Sequence, residues 1–181
     1  MNAPEYLPAA RRWPERRAAT EAEAKALASS VRLRILRMCL DRELTNKEIA
    51  ERLDANPATV LHHVRTLVDT GFLEARPPRR GKRGSREVPY LATGKSWAMD
   101  EHRSTPAMIE AFVDELRGVD LTQDALFTRL GLRLTPEQHR DLRDRLHEVI
   151  MHFAELPLAP EGRPYSVFVA VHEDPSRDQP A

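Results

Sequence analysis
The chain has 181 residues, 28 Lys and Arg against 28 Asp and Glu, a formal net charge of zero and a single cysteine, Cys39. That length can bury one good core or two small ones, so one functional module plus an accessory region is the natural division. Nowhere do 18 consecutive apolar residues occur, which argues against a membrane-spanning helix, and one cysteine excludes an intrachain disulfide. There is no Gly-rich phosphate loop, nucleotide fingerprint or nucleophile–base pair at recognisable spacing, so neither an enzyme nor a cofactor is expected.

The zero net charge hides a polarity. Residues 1–95 carry 15 Arg and 4 Lys against 12 acids, a balance of +7, whereas residues 96–181 carry 9 Arg against 16 acids, a balance of −7. The first half is therefore the one expected to approach an anionic partner. Its opening, MNAPEYLPAARRWPERRAAT, holds three prolines and no apolar run. Residues 1–19 read as a disordered basic arm, and a cytoplasmic protein is expected. Arg11, Arg12, Arg16 and Arg17 around Trp13 could track DNA, though a mobile tail is the commoner outcome for such a segment.

Thr20 followed by Glu23 is a capping box, which opens a helix expected to run through Leu40. Leu27, Val31, Ile35 and Met38 lie along one face and Leu33, Leu36 and Leu40 along another, so this helix is buried on two sides. Cys39 reads as a packed core thiol. A second capping box, Thr45 with Glu48, starts a helix near Asn46 whose Ile49, Ala50 and Leu53 face inward. Asp54-Ala55 then supplies a tight turn. Asn56 caps the next helix and Pro57 takes its first position, where the missing N–H costs nothing. Val60, Val64, Leu67 and Val68 form the buried stripe of that helix, leaving Ala58, Thr59, His62 and Arg65 on other faces near the end that enters a major groove in helix-turn-helix proteins. Gly71 suits a left-handed cap.

Two short runs follow, Phe72–Arg76 and Glu87–Leu91, readable as strands joined by PPRRGKRGSR. They make a hairpin with a basic tip, a wing, whose Arg79, Arg80, Lys82, Arg83 and Arg86 suit a phosphate backbone or a narrow minor groove. The DNA-binding candidates are thus Thr45, Asn56, Ala58, Thr59, His62, His63, Arg65, Arg79, Arg80, Lys82, Arg83 and Arg86. Of these, His63 is expected on a phosphate or on the neighbouring helix rather than on a base.

Residues 24–95 resemble the winged helix-turn-helix of the ArsR-like bacterial transcription regulators. ALASSVRLRIL resembles that family's opening helix, and NPATVLHHVRTLVDTGFL its recognition helix and exit. The resemblance implies a homodimeric, sequence-specific DNA-binding protein, usually a repressor, acting on a pseudo-palindromic double-stranded operator. Metal-sensing members carry paired cysteines in the helix that starts at Thr45. Thr45-Asn46-Lys47 stands there instead, so arsenic or cadmium sensing through that site is not expected.

After Lys95 the character changes. AMIEAFVDEL, residues 107–116, is an amphipathic helix that Gly118 ends. FTRLGLRL, residues 127–134, alternates at its end as a half-buried strand does. Thr135-Pro136-Glu137-Gln138 opens a helix with Leu142, Leu146, Val149, Ile150 and Phe153 as its stripe. YSVFVAV, residues 165–171, reads as an apolar strand. His139, His147 and His152, with Glu148, share the long helix. An interfacial zinc site could be built from them, but a solvated face that includes imidazoles is the commoner case, and no metal is expected.

The fold expected is α+β: a winged helix-turn-helix at 20–95, a small α/β region at 96–172 resembling the tails of actinobacterial-type relatives and serving dimerisation or effector sensing, and a disordered tail at 173–181. The function expected is a DNA-binding transcriptional regulator, with DNA, a second copy of itself and a small-molecule effector as candidate partners, and no membrane. A winged-helix protein-interaction module without specific DNA binding is the alternative.

Overall fold
Residue Ser29 decides how the chain enters its core. In the computed structural model, which describes residues 17–81, 86–99, 105–122, 126–157, 159 and 161–177, the opening helix is not continuous. Helix α1 (Glu21–Leu27) stops, and α2 (Ser30–Met38) begins after Ser29, whose hydroxyl accepts from the backbone N–H of Arg32. The Arg32 guanidinium turns back to donate to the carbonyls of Ala26, at 2.5 Å, and Lys25, at 2.7 Å. Two carbonyls at the end of α1 that have no helical partner are thereby satisfied. The expected single helix through Leu40 is corrected to a helix pair. Helical periodicity survived the break because Leu27, Ile35 and Leu36 remain buried on both sides of it.

The capping boxes do what their spacing predicts. Thr20 and Glu23 cap α1, and Thr45 and Glu48 cap α3 (Asn46–Leu53). Helix α3 ends on Asp54, which takes the left-handed conformation at φ 50° and turns the chain into α4 (Pro57–Asp69), capped by Asn56 with Pro57 at its first position. Ile49 and Ala50 of α3 meet Val60, Val64 and Leu67 of α4 in one buried cluster with Ile35, Cys39, Phe72 and Leu73. Gly71, at φ 73°, closes α4.

Three strands form one antiparallel sheet in the order β1 (Leu44–Thr45), β5 (Pro89–Ala92), β2 (Leu73–Ala75), with Leu73 opposite Ala92 and Leu44 opposite Tyr90. The expected hairpin is present as β2 with β5. The β1 edge was not foreseen, because two residues are too few to show a period of two. Beyond Pro77-Pro78, which cannot donate to a ladder, the hairpin resumes as β3 (Arg79–Arg80) paired with β4 (Arg86–Glu87). Lys82, Arg83, Gly84 and Ser85 lie outside the described residues.

A short 3₁₀ turn (Lys95–Ala98) leads towards α5 (Thr105–Leu116). Helix α5 packs on α2, with Arg34 of α2 facing Asp114 at 3.9 Å and Arg37 facing Glu115 at 3.0 Å. The chain divides into two compact units between Asp124 and Ala125, so α5 belongs with the winged helix, and the division expected at residues 95–96 falls inside the first unit.

The second unit contains α6 (Pro136–Glu155), capped by Thr135 and Gln138 as expected, and a 3₁₀ turn (Pro175–Arg177). The two strands expected at 127–134 and 165–171 are corrected: neither is part of a strand ladder, and the side chains of 127–134 are exposed. No residue of α6 is buried. The apolar alternation of these segments is real, but a strand needs a hydrogen-bonded neighbour, and alternation alone does not supply one.

Candidate nucleic-acid interface
Helix α4 has a held face and an open face. Val60, Val64 and Leu67 are buried in the core, which fixes the rotation of the helix about its axis. Ala58, Thr59, His62 and Arg65 are consequently exposed together along its N-terminal two turns. Thr66 donates its hydroxyl to the carbonyl of His62 and so belongs to the helix itself. Asn56 is exposed and accepts the N–H of Ala58 at 2.8 Å; its side chain is engaged as a cap, leaving its amide N–H₂ free of that bond.

His63 faces the other way. It is half-buried, with its Nδ1 buried and unpartnered. Burial, together with the nearby charges of Arg32 and His62, holds its imidazole below the usual histidine range, so it is neutral at pH 7. Of the two roles expected for it, the neighbouring helix is the one its position fits. Thr45 is corrected outright: it is buried, its hydroxyl accepts the N–H of Glu48 at 3.3 Å and donates to the Glu48 carboxylate at 2.9 Å, and it presents nothing to a ligand. A residue that starts a helix-turn-helix and carries a hydroxyl looks like a DNA contact from sequence, but the same hydroxyl is what the capping box consumes.

The wing adds exposed arginines. Arg80 and Arg86 sit opposite one another across the β3–β4 ladder, where like charges repel unless an anion lies between them. Arg79 is placed differently, since its guanidinium donates to both carboxylate oxygens of Glu48 at 3.0 Å. This contact escaped the sequence reading because its partners are 31 residues apart. Burial works against the ionised Glu48 carboxyl, but the Thr45 N–H and hydroxyl, Arg79 and Arg52 outweigh it and hold the group below its ordinary range. One carboxylate thus caps α3 and ties the base of the wing to the helix-turn-helix. Lys82 and Arg83 fall outside the described residues.

A second tie was also unforeseen. The Glu23 carboxylate is buried between Arg17, at 2.7 Å, and Lys95, at 2.7 Å. Lys95 in turn donates to the carbonyl of Thr70 at the end of α4 and lies 5.3 Å from the Phe72 ring centre. The chain leaving the sheet is thereby fastened to both the first helix and the end of α4. Asn46 completes the helix-turn-helix by donating to the Pro57 carbonyl at 2.9 Å.

Among the described residues no three His, Cys, Asp or Glu side chains gather as a metal site, and no helix is long and apolar enough to cross a membrane. His139, His147 and His152 are all exposed on α6 and are not brought together.

Residues 27–76 match a family described as a helix-turn-helix domain. No curated protein matches the chain. Among solved structures, the chain is similar to reduced HlyU from Vibrio cholerae, at 23% identity over 51% of this chain and 84% of that one with a TM-score of 0.34. It is similar to the homodimeric winged helix-turn-helix DNA-binding domain Mb0332 from Mycobacterium bovis, at 24% identity over 58% and 82% with a TM-score of 0.34. It is also similar to Lactococcus lactis ZitR solved in complex with DNA, at 22% identity over 68% and 74% with a TM-score of 0.33.

Proposed function
We propose that this chain, whose residues 27–76 are a helix-turn-helix domain, is a sequence-specific DNA-binding transcriptional regulator, working in the cytoplasm as a homodimeric repressor on a pseudo-palindromic operator. The observation that carries the reading is the division of α4 into a core-held face and an open face bearing Ala58, Thr59, His62 and Arg65, next to a hairpin that exposes Arg80 and Arg86. A helix whose rotation is fixed by Val60, Val64 and Leu67 can present the same side chains to base edges in every encounter, which sequence readout requires. The Thr59 hydroxyl and His62 imidazole read base edges. Arg65 and the wing arginines neutralise phosphates, setting register without reading sequence. A small-molecule effector shifting the separation of two wings would complete the regulator.

Salt dependence tests the reading. Arg80→Ala with Arg86→Ala should weaken binding to all duplexes alike and lower the slope of log affinity against log salt by about two per wing. These two arginines are the informative pair because Arg79 is engaged by Glu48. A protein-interaction module would show no salt-dependent affinity for random duplex, and that result would overturn the assignment.

A further inference from the structure
We propose that Glu48 is a positioning residue for sequence discrimination: by holding Arg79 it fixes the direction in which the outer wing leaves the sheet, and it keeps Arg79 from serving as one more phosphate contact. The proposal rests on the DNA-binding reading above, and its test has an arm without DNA, so the two can fail separately.

The backbone alone does not fix that direction. The β2–β5 ladder ends with Ala75 opposite Tyr90, after which the Arg76 N–H donates to the Pro89 carbonyl at 2.9 Å. Pro77 and Pro78 follow and have no N–H to continue the ladder. What resumes beyond them is a separate two-stranded sheet of two residue pairs, Arg79 opposite Glu87 and Arg80 opposite Arg86. So short a ladder, with two cations facing each other in it, is weak by itself. The inner hairpin is anchored by the fully buried Pro89 and by Arg76, which pairs with Glu43 at 3.0 Å. The outer ladder is tied to the body of the domain by Arg79, whose Nη2 donates to both carboxylate oxygens of Glu48 at 3.0 Å.

Glu48 is suited to this task because it is already fixed. Its Oε2 accepts the Thr45 N–H at 2.7 Å and the Thr45 hydroxyl at 2.9 Å, so only Arg79 has to be ordered when the pair forms. Its neighbours in α3, Ile49 and Ala50, are buried in the same cluster as Val60, Val64 and Leu67 of α4. One core therefore sets both the rotation of α4 and the place of the carboxylate that receives the wing. A specific site gains from such preorganisation, since it must meet the α4 face and the wing together, whereas loose contact with a random duplex needs only charge. A phosphate could engage Arg79 only by displacing a carboxylate that other bonds hold in place.

Glu48→Gln isolates the tie from the cap, because Gln138 performs the same capping in α6, accepting the Thr135 N–H at 2.9 Å. It puts an N–H₂ donor where Oε1 met the Arg79 guanidinium, which has only donors to offer. Affinities are measured for the duplex that the unaltered chain selects from a random pool and for random duplex. Glu48→Gln should lower the ratio of the two by about fivefold per wing, the upper end for one exposed ion pair. It should also raise the salt slope on random duplex by about one per wing, as Arg79 is released to phosphate. Arg79→Gln should lower the same ratio and leave the slope unchanged, and the double variant should lose no more discrimination than the larger single loss. Without DNA, backbone order parameters of β3 and β4 should fall in both single variants while those of α3 and the melting temperature hold. An unchanged ratio, additive losses, unaltered order parameters, or a slope that Arg79→Gln lowers by one per wing would each overturn the proposal. An unaltered chain without salt-dependent affinity for duplex would sink the DNA-binding reading and the role in recognition with it, even where the order parameters show the tie.

Discussion

Glu23 shows how charged and hydrogen-bonding partners can offset the cost of burying a single acid. Its carboxylate accepts from Arg17 at 2.9 and 2.7 Å and from the Thr20 N–H at 2.9 Å, and is paired with Lys95. Arg17, then Lys95 and Thr20, hold its carboxyl far below the carboxylate range against the opposing effect of burial. A depressed folded value means that the stabilisation is complete above the unfolded value near 4.5 and is lost as pH falls from there towards the folded value. Glu23→Gln should therefore cost about 2 kcal/mol at pH 7 and flatten the fall of stability below pH 4.5; urea unfolding at pH 7 and pH 3 measures both, and equal losses at the two pH values would contradict the assignment. On α4 the residue-scale expectation concerns reading rather than stability. Thr59→Ala or His62→Ala should change which bases are preferred, by about 1–3 kcal/mol at one position of the site, while leaving affinity for random duplex unchanged. Selection of bound fragments from a random pool would reveal the shift, and an unaltered preference would remove these side chains from the interface.

At the scale of elements, what was legible in the sequence was local. The caps of α1, α3, α4 and α6, the proline at the start of α4 and the glycine at its end each depend on residues within four positions of one another, and all stand where their spacing predicts. What was not legible depends on distant partners. The break at Ser29 is sealed by Arg32 reaching back to α1, β1 exists only because Leu44 meets Tyr90, and the strands expected in the second unit lack the neighbour that alternation cannot provide. Of the interface, the α4 face was readable from helical period, whereas the removal of Thr45 and the capture of Arg79 by Glu48 were not. Glycine replacement separates the two kinds of information. Gly71→Ala should destabilise by about 1 kcal/mol, because a side chain is strained at φ 73° even though its Cβ would meet only the end of the Lys95 side chain in ordinary contact at 3.4 Å. Gly118→Ala, whose Cβ would meet only the Glu115 carbonyl at 4.0 Å, should change stability by less than about 0.5 kcal/mol. Denaturant midpoints of the two variants test the contrast, and similar losses would mean that Gly71 is not holding the end of α4.

Across the whole molecule, the charge polarity of the sequence is only partly available to a partner. Arg34 and Arg37 of α2 face Asp114 and Glu115 of α5, and Arg17 faces Glu23, so part of the excess of cations in the first half is balanced inside its own unit. Of those that remain outward, Arg65 lies on α4 and Arg80 and Arg86 on the wing, but Arg42, Lys47 and Arg52 are exposed elsewhere, so the net balance of +7 points to a half of the chain and not to particular residues. The same whole-chain view decides the question of metal response. Arsenite and cadmium need soft ligands, several of them, within reach of one another. The chain has a single thiol, and Cys39 is fully buried in the core with its ionisation pushed up to about 12 by desolvation, so it is neither accessible nor a thiolate near neutrality. The helix that begins after Thr45 offers Asn46 and Lys47, neither of which is a soft donor. His139, His147 and His152 lie 8 and then 5 residues apart on α6, placing them on different sides of a helix that turns by about 100° per residue. Stoichiometric arsenite, cadmium or zinc should accordingly leave DNA affinity within twofold of the metal-free value in a fluorescence anisotropy titration, and retention should be the same for Cys39→Ser. Release by one equivalent of arsenite that Cys39→Ser abolishes would show that the core opens to expose the thiol, and would replace a static scaffold with a redox- or metal-gated one.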